Sequence, residues 1–324
     1  MRSKAAVLVG PNTPLVIDEV DFPDPAPDQV LVKLFASGIC HSQLHQIHRT
    51  PETAHRGTPA VFPSLLGHEA TGVVVAAGND VPHVREGDHV MTTWVDRGAV
   101  EGAPPRAPVS VQWRNQSVPA GPATWTEYAL LSEQLVVPLD AEVATDVTSI
   151  IGCAVLTGSG MILNTLEVQV SESVAVFGAG GVGLCAIAAA HIVGAYPIIA
   201  VDLSDDKLEF AKRFGATHGV NAANGDPVEA IHEISGGGVE YAIDAIGAKS
   251  TQEQILYGPP RRYRPQKRRH RLPRRRGPGT RVYRRRRTAY YPTHLYRHPG
   301  QPMPSGSRFS NLCTLVSTQP AQPR

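Results

Sequence analysis

The sequence predicts an α/β chain in three parts: a β-rich domain over residues 1–150, a doubly wound parallel-sheet domain over residues 151–257 that stops before its sheet is complete, and a basic tail over residues 258–324. Three observations predict it. Short Val- and Ala-rich runs punctuated by Gly, Pro and Asp fill the first 140 residues, the texture of many short strands. From Ser173 the pattern becomes strand, glycine turn, helix, strand, the alternation that builds a parallel sheet. At Gly258 both patterns stop.

The strands of the first domain are carried by KAAVLV, QVLVKLFAS, ATGVVVAAG, DHVMTTWV and WTEYALL. Between Asp96 and Thr124, five prolines (Pro104, Pro105, Pro108, Pro119 and Pro122) and few apolar residues read as one long loop, because proline removes ladder donors and favours turns. In the second domain SVAVF leads into GAGGVG, the helical stretch LCAIAAAHIV and the strand PIIAVD. A second helix, DDKLEFAKRFG, is expected to stop at Gly215, since glycine accepts the left-handed backbone common at helix ends. Strands follow at His218–Val220 and within VEYAIDAIG, residues 239–247.

The formal net charge of +2 conceals a split. Residues 1–257 hold all 29 Asp and Glu against 13 of the 31 Lys and Arg, a net charge of −16. The tail holds the other 18 basic side chains and no acidic one. A segment so poor in large apolar residues cannot bury enough surface to offset its ordering entropy, so disorder is expected there. Its Arg and Pro alternation reads as a GC-rich gene translated in a shifted frame. A basic arm that stacks bases on Tyr263, Tyr283, Tyr290, Tyr291 and Tyr296 is the competing reading, and nucleic acid is not expected as a partner. Four cysteines are too few for a disulfide scaffold. The start, MRSKAAVLVGPNTP, lacks the apolar run of a signal peptide, and the apolar stretches are too short to span a bilayer. A cytoplasmic enzyme with no membrane association is the expectation.

Gly178, Gly180 and Gly183 form G-x-G-x-x-G between a predicted strand and helix. With Gly181 and Val182 they make a turn whose N–H groups and helix dipole suit a pyrophosphate. Asp202 ends the next strand, 24 residues beyond Gly178. A carboxylate there accepts hydrogen bonds from ribose hydroxyls and repels a 2′-phosphate, which points to NAD over NADP. Lys207, one turn into the following helix, is placed to reach a ribose, although an exposed lysine is commonly just solvated. Elsewhere Cys40, His68 and Cys153 supply two thiols and one imidazole, a donor set that suits catalytic zinc with its fourth position open. Taken alone, a buried cysteine is more often a small hydrophobe than a ligand.

Those residues lie in longer motifs. GHEATGVVVAAGNDV, with Gly67, His68, Glu69, Gly72, Gly78 and Val81 in step, resembles the signature of zinc-containing medium-chain alcohol dehydrogenases. So do ASGICHSQLH around Cys40, GDHV at 87–90, the glycine element at Cys153 and VFGAGGVGL, and the resemblance runs from residue 1 to about 257. It implies a GroES-like zinc catalytic domain, an NAD-binding Rossmann domain, and one Zn2+ held by Cys40, His68 and Cys153. Glu69 would lie behind the ligands and tune them. An alcohol acidified on the zinc would give up hydride to NAD. Its proton would leave through Ser42 and His45, for which a helix N-cap serine and an exposed histidine are the plain alternatives.

The resemblance further implies a small alcohol or aldehyde as substrate and a homo-oligomer for a full-length chain. Two departures matter. Gln43 stands where the family commonly has an acidic residue or Thr. The 96–124 loop also lacks the four cysteines that bind a structural zinc in many relatives, so a single zinc per chain is expected. Cys185 is read as core packing and Asp88 as a turn residue. No further strands of the nucleotide domain are recognisable after Gly247, which would leave VEYAIDAIG as an exposed edge. The alternatives to an active alcohol dehydrogenase are a polyol- or aldehyde-handling relative and an inactive truncated or frameshifted product. Resequencing the gene around the codons for Tyr257 and Gly258 should reveal an inserted or deleted base, with strand and helix patterning resumed in another frame. A confirmed frame overturns the shifted-frame reading.

Overall fold

The computed structural model describes residues 1–48, 61–96 and 109–257, together with the backbone of Ala289–Tyr290. The disorder expected over 258–324 otherwise lies outside the described residues. Two compact units emerge, Met1–Leu156 and a second that begins at Thr157.

The first unit contains β1 (Arg2–Leu8), β2 (Val16–Asp21), β3 (Gln29–Ser37), α1 (His41–Ile47), β4 (Ser64–Leu65), β5 (Ala70–Ala77), β6 (His89–Thr92), β7 (Ser110–Trp113), β8 (Gln116–Pro119), β9 (Tyr128–Ser132), β10 (Val136–Pro138) and the short α2 (Thr145–Thr148). Its strands form two antiparallel five-stranded sheets, β4-β1-β2-β7-β8 and β10-β6-β5-β3-β9. Alternating side chains pack into two apolar clusters. One gathers Val7, Val20, Phe22, Val111 and Leu130, and the other Val30, Val32, Val74, Val90 and Leu131.

The sequence reading of 96–124 as a single loop is corrected here. Residues 97–108 lie outside the described set, but β7 and β8 form a hairpin with Val111 opposite Val118 and Trp113 opposite Gln116. Its two turn residues, Arg114 and Asn115, have φ of 47° and 63°, the left-handed pair whose twist matches that of the flanking strands. Val111, Trp113 and Val118 are buried in the core. This alternation was available in VQWRNQSV, and the surrounding prolines outweighed it.

Beyond α2 the chain makes a wide π-type turn at Ile151–Val155, then α3 (Leu156–Gly160) and a second wide turn at Met161–Thr165. There follow β11 (Val174–Phe177), α4 (Gly181–Ile192), β12 (Ile198–Asp202), α5 (Asp205–Lys212), β13 (His218–Asn221), α6 (Pro227–Ser235), β14 (Tyr241–Asp244), α7 (Lys249–Tyr257) and β15 (Ala289–Tyr290). The strands pair in parallel in the order β13-β12-β11-β14-β15. Val174, Val176, Ile198 and Ala200 pack on one side with α4 residues, and Ala175, Phe177, Ile199 and Val201 on the other with Ile231 of α6. Both faces are covered, so these strands are apolar runs without alternation.

Sequence reasoning passed over α6, although its ends are marked. Asp226 caps it by accepting from Val228 N–H at 2.8 Å, Pro227 opens it and Gly236 closes it in left-handed backbone. The expected edge strand over 239–247 is also corrected. It is only Tyr241–Asp244, and β15 pairs with it at Ile243–Ala289 and Asp244–Tyr290.

The glycine turn between β11 and α4 is dictated sterically. Gly178 has φ +97°, and a Cβ at Gly183 would sit 1.7 Å from the Gly178 carbonyl oxygen. Only glycine lets α4 start so close to the strand. At Gly180 a Cβ would meet nothing within 4 Å. Gly183→Ala should therefore lower stability by about 3 kcal/mol, while Gly180→Ala stays within about 1 kcal/mol of the parent, both read from urea unfolding midpoints.

Candidate metal centre

Three separate backbone segments bring the predicted ligands together within the first unit. Cys40 follows β3 and is the N-cap residue of α1. His68 lies in the loop before β5, and the two segments are tied where Gly38 N–H donates to Glu69 O at 3.0 Å. Cys153 lies in the wide turn after α2. That turn is pressed against β6: a Cβ on Gly152 would come within 1.9 Å of Thr92 O, and Thr93 Oγ1 donates to Gly152 O at 2.7 Å.

The outcome is a tight donor cluster. Cys40 Sγ, one imidazole nitrogen of His68 and Cys153 Sγ all lie within 4.8 Å of one another. Cys153 Sγ is 3.3 Å from His68 Nε2 and 3.9 Å from Cys40 Sγ. Tetrahedral zinc at ordinary bond lengths sets about 3.6 Å between sulfur and nitrogen and about 3.8 Å between sulfurs, so the set fits the ion. Cys153 is buried, and Cys40 and His68 are half-buried.

Polar groups stand behind the ligands. Glu69 is 2 % exposed and its Oε2 accepts from Ala154 N–H at 3.4 Å. Burial outweighs that bond and pushes the carboxyl up to about 7, with the nearby Cys40 sulfur adding to the rise. The two thiols act as a pair: hydrogen bonding from Cys153, then from His68, lowers the Cys40 thiol, while the Cys40 sulfur and burial push Cys153 up. One thiolate is thus favoured at Cys40 and a second is opposed, until a cation compensates them. Gln43 is fully buried against both Cys40 and His68. Trp94 sets its ring edge-on to His68 with centroids 6.4 Å apart. Trp94 and the Ala154 N–H were not singled out in the sequence, where an aromatic after a strand and a backbone amide carry no distinguishing mark.

The structure also corrects the plain reading of Ser42 as the helix N-cap, since Cys40 holds that position. The Ser42 hydroxyl is buried and bears on the Cys40 sulfur without meeting hydrogen-bond geometry. His45 is exposed on α1 and packs edge-on against His41 at 5.1 Å. Asp88 is a turn residue that accepts from Arg85 N–H at 2.9 Å.

In the second unit Asp202 closes on the glycine turn. Its Oδ2 accepts from Ala179 N–H at 2.9 Å, and its Oδ1 from Leu203 and Ser204 N–H at 2.8 and 3.2 Å. Lys207 Nζ approaches Asp202 Oδ1 at 3.8 Å. Among the described residues no helix is long and apolar enough to cross a membrane.

Comparison with known proteins agrees with this architecture. The alcohol dehydrogenase GroES-like domain model matches residues 26–141, and the zinc-binding dehydrogenase model matches residues 181–257. S-(hydroxymethyl)glutathione dehydrogenase of Photobacterium damsela subsp. piscicida is 33 % identical over 283 residues, covering 79 % of this chain and 74 % of that protein. Among solved structures, an alcohol dehydrogenase zinc-binding domain protein from Burkholderia ambifaria is similar at 31 % identity and a TM-score of 0.70, covering 79 % of this chain and 74 % of the other. Benzyl alcohol dehydrogenase from Acinetobacter calcoaceticus is similar at 29 % identity and 0.71, covering 80 % and 75 %. The chain belongs to the zinc-containing medium-chain alcohol dehydrogenase family. By that membership it is an oxidoreductase.

The raised Glu69 carboxyl has a consequence for stability. Because its folded value lies above the unfolded one, its contribution is fully present below about pH 4.5 and is lost as pH rises through about 7. Urea unfolding of chelator-treated protein should show Glu69→Gln gaining on the parent across that window, by on the order of 3 kcal/mol in full.

Proposed function

We propose that the chain is a zinc-dependent dehydrogenase that transfers a hydride between a small alcohol or aldehyde and NAD. Residues 1–150, together with the wide turn that carries Cys153, form the zinc domain, and the rest of 151–257 forms the nucleotide domain. The observation that carries this reading is the donor cluster: two sulfurs and one imidazole nitrogen at 3.3 and 3.9 Å, with half-buried Cys40 and His68 leaving an approach for substrate. Cys40, His68 and Cys153 would hold the ion. Bound there, zinc supplies Lewis acidity to a substrate oxygen. The 96–124 segment contains no cysteine, which supports one zinc per chain.

The chain's own side chains supply the rest. Ser42, two residues from Cys40, holds a hydroxyl suited to pass on the substrate proton, and His45, exposed on the same helix, is suited to release it to solvent. Glu69 lies behind His68 and Cys153 and orients the ligand turn through Ala154 N–H. In the second unit the turn from Gly178 through Gly180, Gly181, Val182 and Gly183 offers backbone N–H groups to a pyrophosphate. The strand order β13-β12-β11 is that of one mononucleotide-binding half, and β14 adds the first strand of the second half. Asp202 would accept from the adenosine ribose and repel a 2′-phosphate, with Lys207 beside it. Thiols outside any disulfide at Cys40, Cys153 and Cys185 are consistent with a cytoplasmic setting.

Zinc content and NADH formation with simple alcohols test this together. Cys40→Ser should remove zinc and turnover at once, and retained zinc with full rate would overturn the ligand assignment. Asp202→Ser should weaken NAD at least about tenfold and relax the bias against NADP. An unchanged preference would mean that another group reads the ribose.

A further inference from the structure

Both ends of the Gln43 amide touch the metal ligands. Cys40 N–H donates to Gln43 Oε1 at 2.8 Å, and Gln43 Nε2 lies 2.6 Å from His68 Nδ1. A backbone N–H can only donate, so the first contact fixes which end of the amide is oxygen. The NH2 end therefore faces His68, and it too can only donate. His68 Nδ1 must accept, which puts the ring proton of neutral His68 on Nε2. There it finds a sulfur acceptor, Cys153 Sγ, at 3.3 Å. The Cys153 thiol turns its own hydrogen to Cys40 Sγ at 3.9 Å. With no metal bound, every donor in this circuit has one acceptor.

Coordination needs the opposite arrangement. Nε2 must be bare, and Nδ1 must carry the proton and donate it to an acceptor. We infer that Gln43 opposes the metal-binding tautomer of His68, so that metal binding is coupled to reversal of a buried amide and to loss of the Cys40 N–H bond. This rests on the metal reading proposed above. On binding a divalent ion, Cys40 and Cys153 give up to solvent the thiol protons they carry, and the His68 proton moves from Nε2 to Nδ1. The reversed Oε1 accepts it, which leaves the Gln43 NH2 facing the Cys40 N–H, two donors with no acceptor between them. Gln43 is 0 % exposed, so water does not relieve the clash. Gln43 acts through His68 as a positioning residue. A glutamate of the same shape has two acceptor oxygens, one for Cys40 N–H and one for His68 Nδ1–H, and needs no reversal.

The test uses the full chain. Zn2+ affinity is measured by competition with a chromogenic chelator for the parent, Gln43→Glu and Cys40→Ser. Gln43→Glu should bind zinc roughly tenfold or more tightly than the parent. Equal or weaker binding, with one equivalent still bound by both, would overturn the inference and leave the metal site standing. Retention of one equivalent by Cys40→Ser would instead overturn the metal site. Long-range proton–nitrogen NMR of the chelator-stripped parent gives a second readout that needs no variant. His68 should carry its proton on Nε2, and a proton found on Nδ1 sinks the inference.

Discussion

Close backbone approach is the constraint on which the candidate metal centre depends. Cys153 is 85 residues from His68 and 113 from Cys40, so nothing local brings these donors together. The wide turn at Ile151–Val155 reaches β6 only because Gly152 has no side chain to hold it off Thr92 O. Gly38 and Glu69 likewise meet backbone to backbone. Metal–ligand distances tolerate only about 0.2 Å. A shift of one ångström in either contact would separate the sulfurs from the imidazole while leaving both β-sheets intact, so the site is more fragile than the fold that carries it.

The same closeness buries polar groups that an apolar core would not hold. Gln43 and Glu69 are both sealed from solvent beside the ligands. Each costs free energy unless its hydrogen bonds are complete. Gln43 is doubly bonded, but among the described residues Glu69 has only a long contact from Ala154 N–H to set against desolvation. These residues are poor choices for stability and intelligible choices for tuning a cation. Under the proposed reading, folding and ion binding draw on one set of interactions in this unit.

Legibility in the sequence follows from whether a constraint is local. The glycine turn was readable because the backbone clash between Gly183 and Gly178 O spans only five residues and admits one residue type. The strand runs SVAVF and PIIAVD were readable because burial on both faces leaves no alternation to confuse. The β7–β8 hairpin was missed because its alternation, confined to two four-residue strands, competed with a proline-rich setting. Cys40, His68 and Cys153 could be listed from the sequence but not assembled from it. Their proximity depends on strand pairing and on Gly152, and only the resemblance singled them out. The hydrogen-bond polarity at Gln43 was beyond reach, because it depends on which amide end meets Cys40 N–H.

Asp202 shows how one side chain joins fold and proposed function. Its two oxygens accept three backbone N–H groups, one from the glycine turn and two from the β12–α5 connection. The carboxylate is therefore a staple before it meets any ligand, and its orientation is fixed in advance. An ionised carboxylate offers about four acceptor positions, so the staple leaves room for a ribose hydroxyl without releasing its backbone partners. Lys207 offsets the negative charge only in part, since its side chain is more than half exposed and its ammonium 3.8 Å away. A 2′-phosphate would, under the proposed reading, face a charge that cannot swing aside without loosening the turn assigned to the pyrophosphate. Under the proposed reading, discrimination between the two dinucleotides and the rigidity of the phosphate turn are one property of one residue.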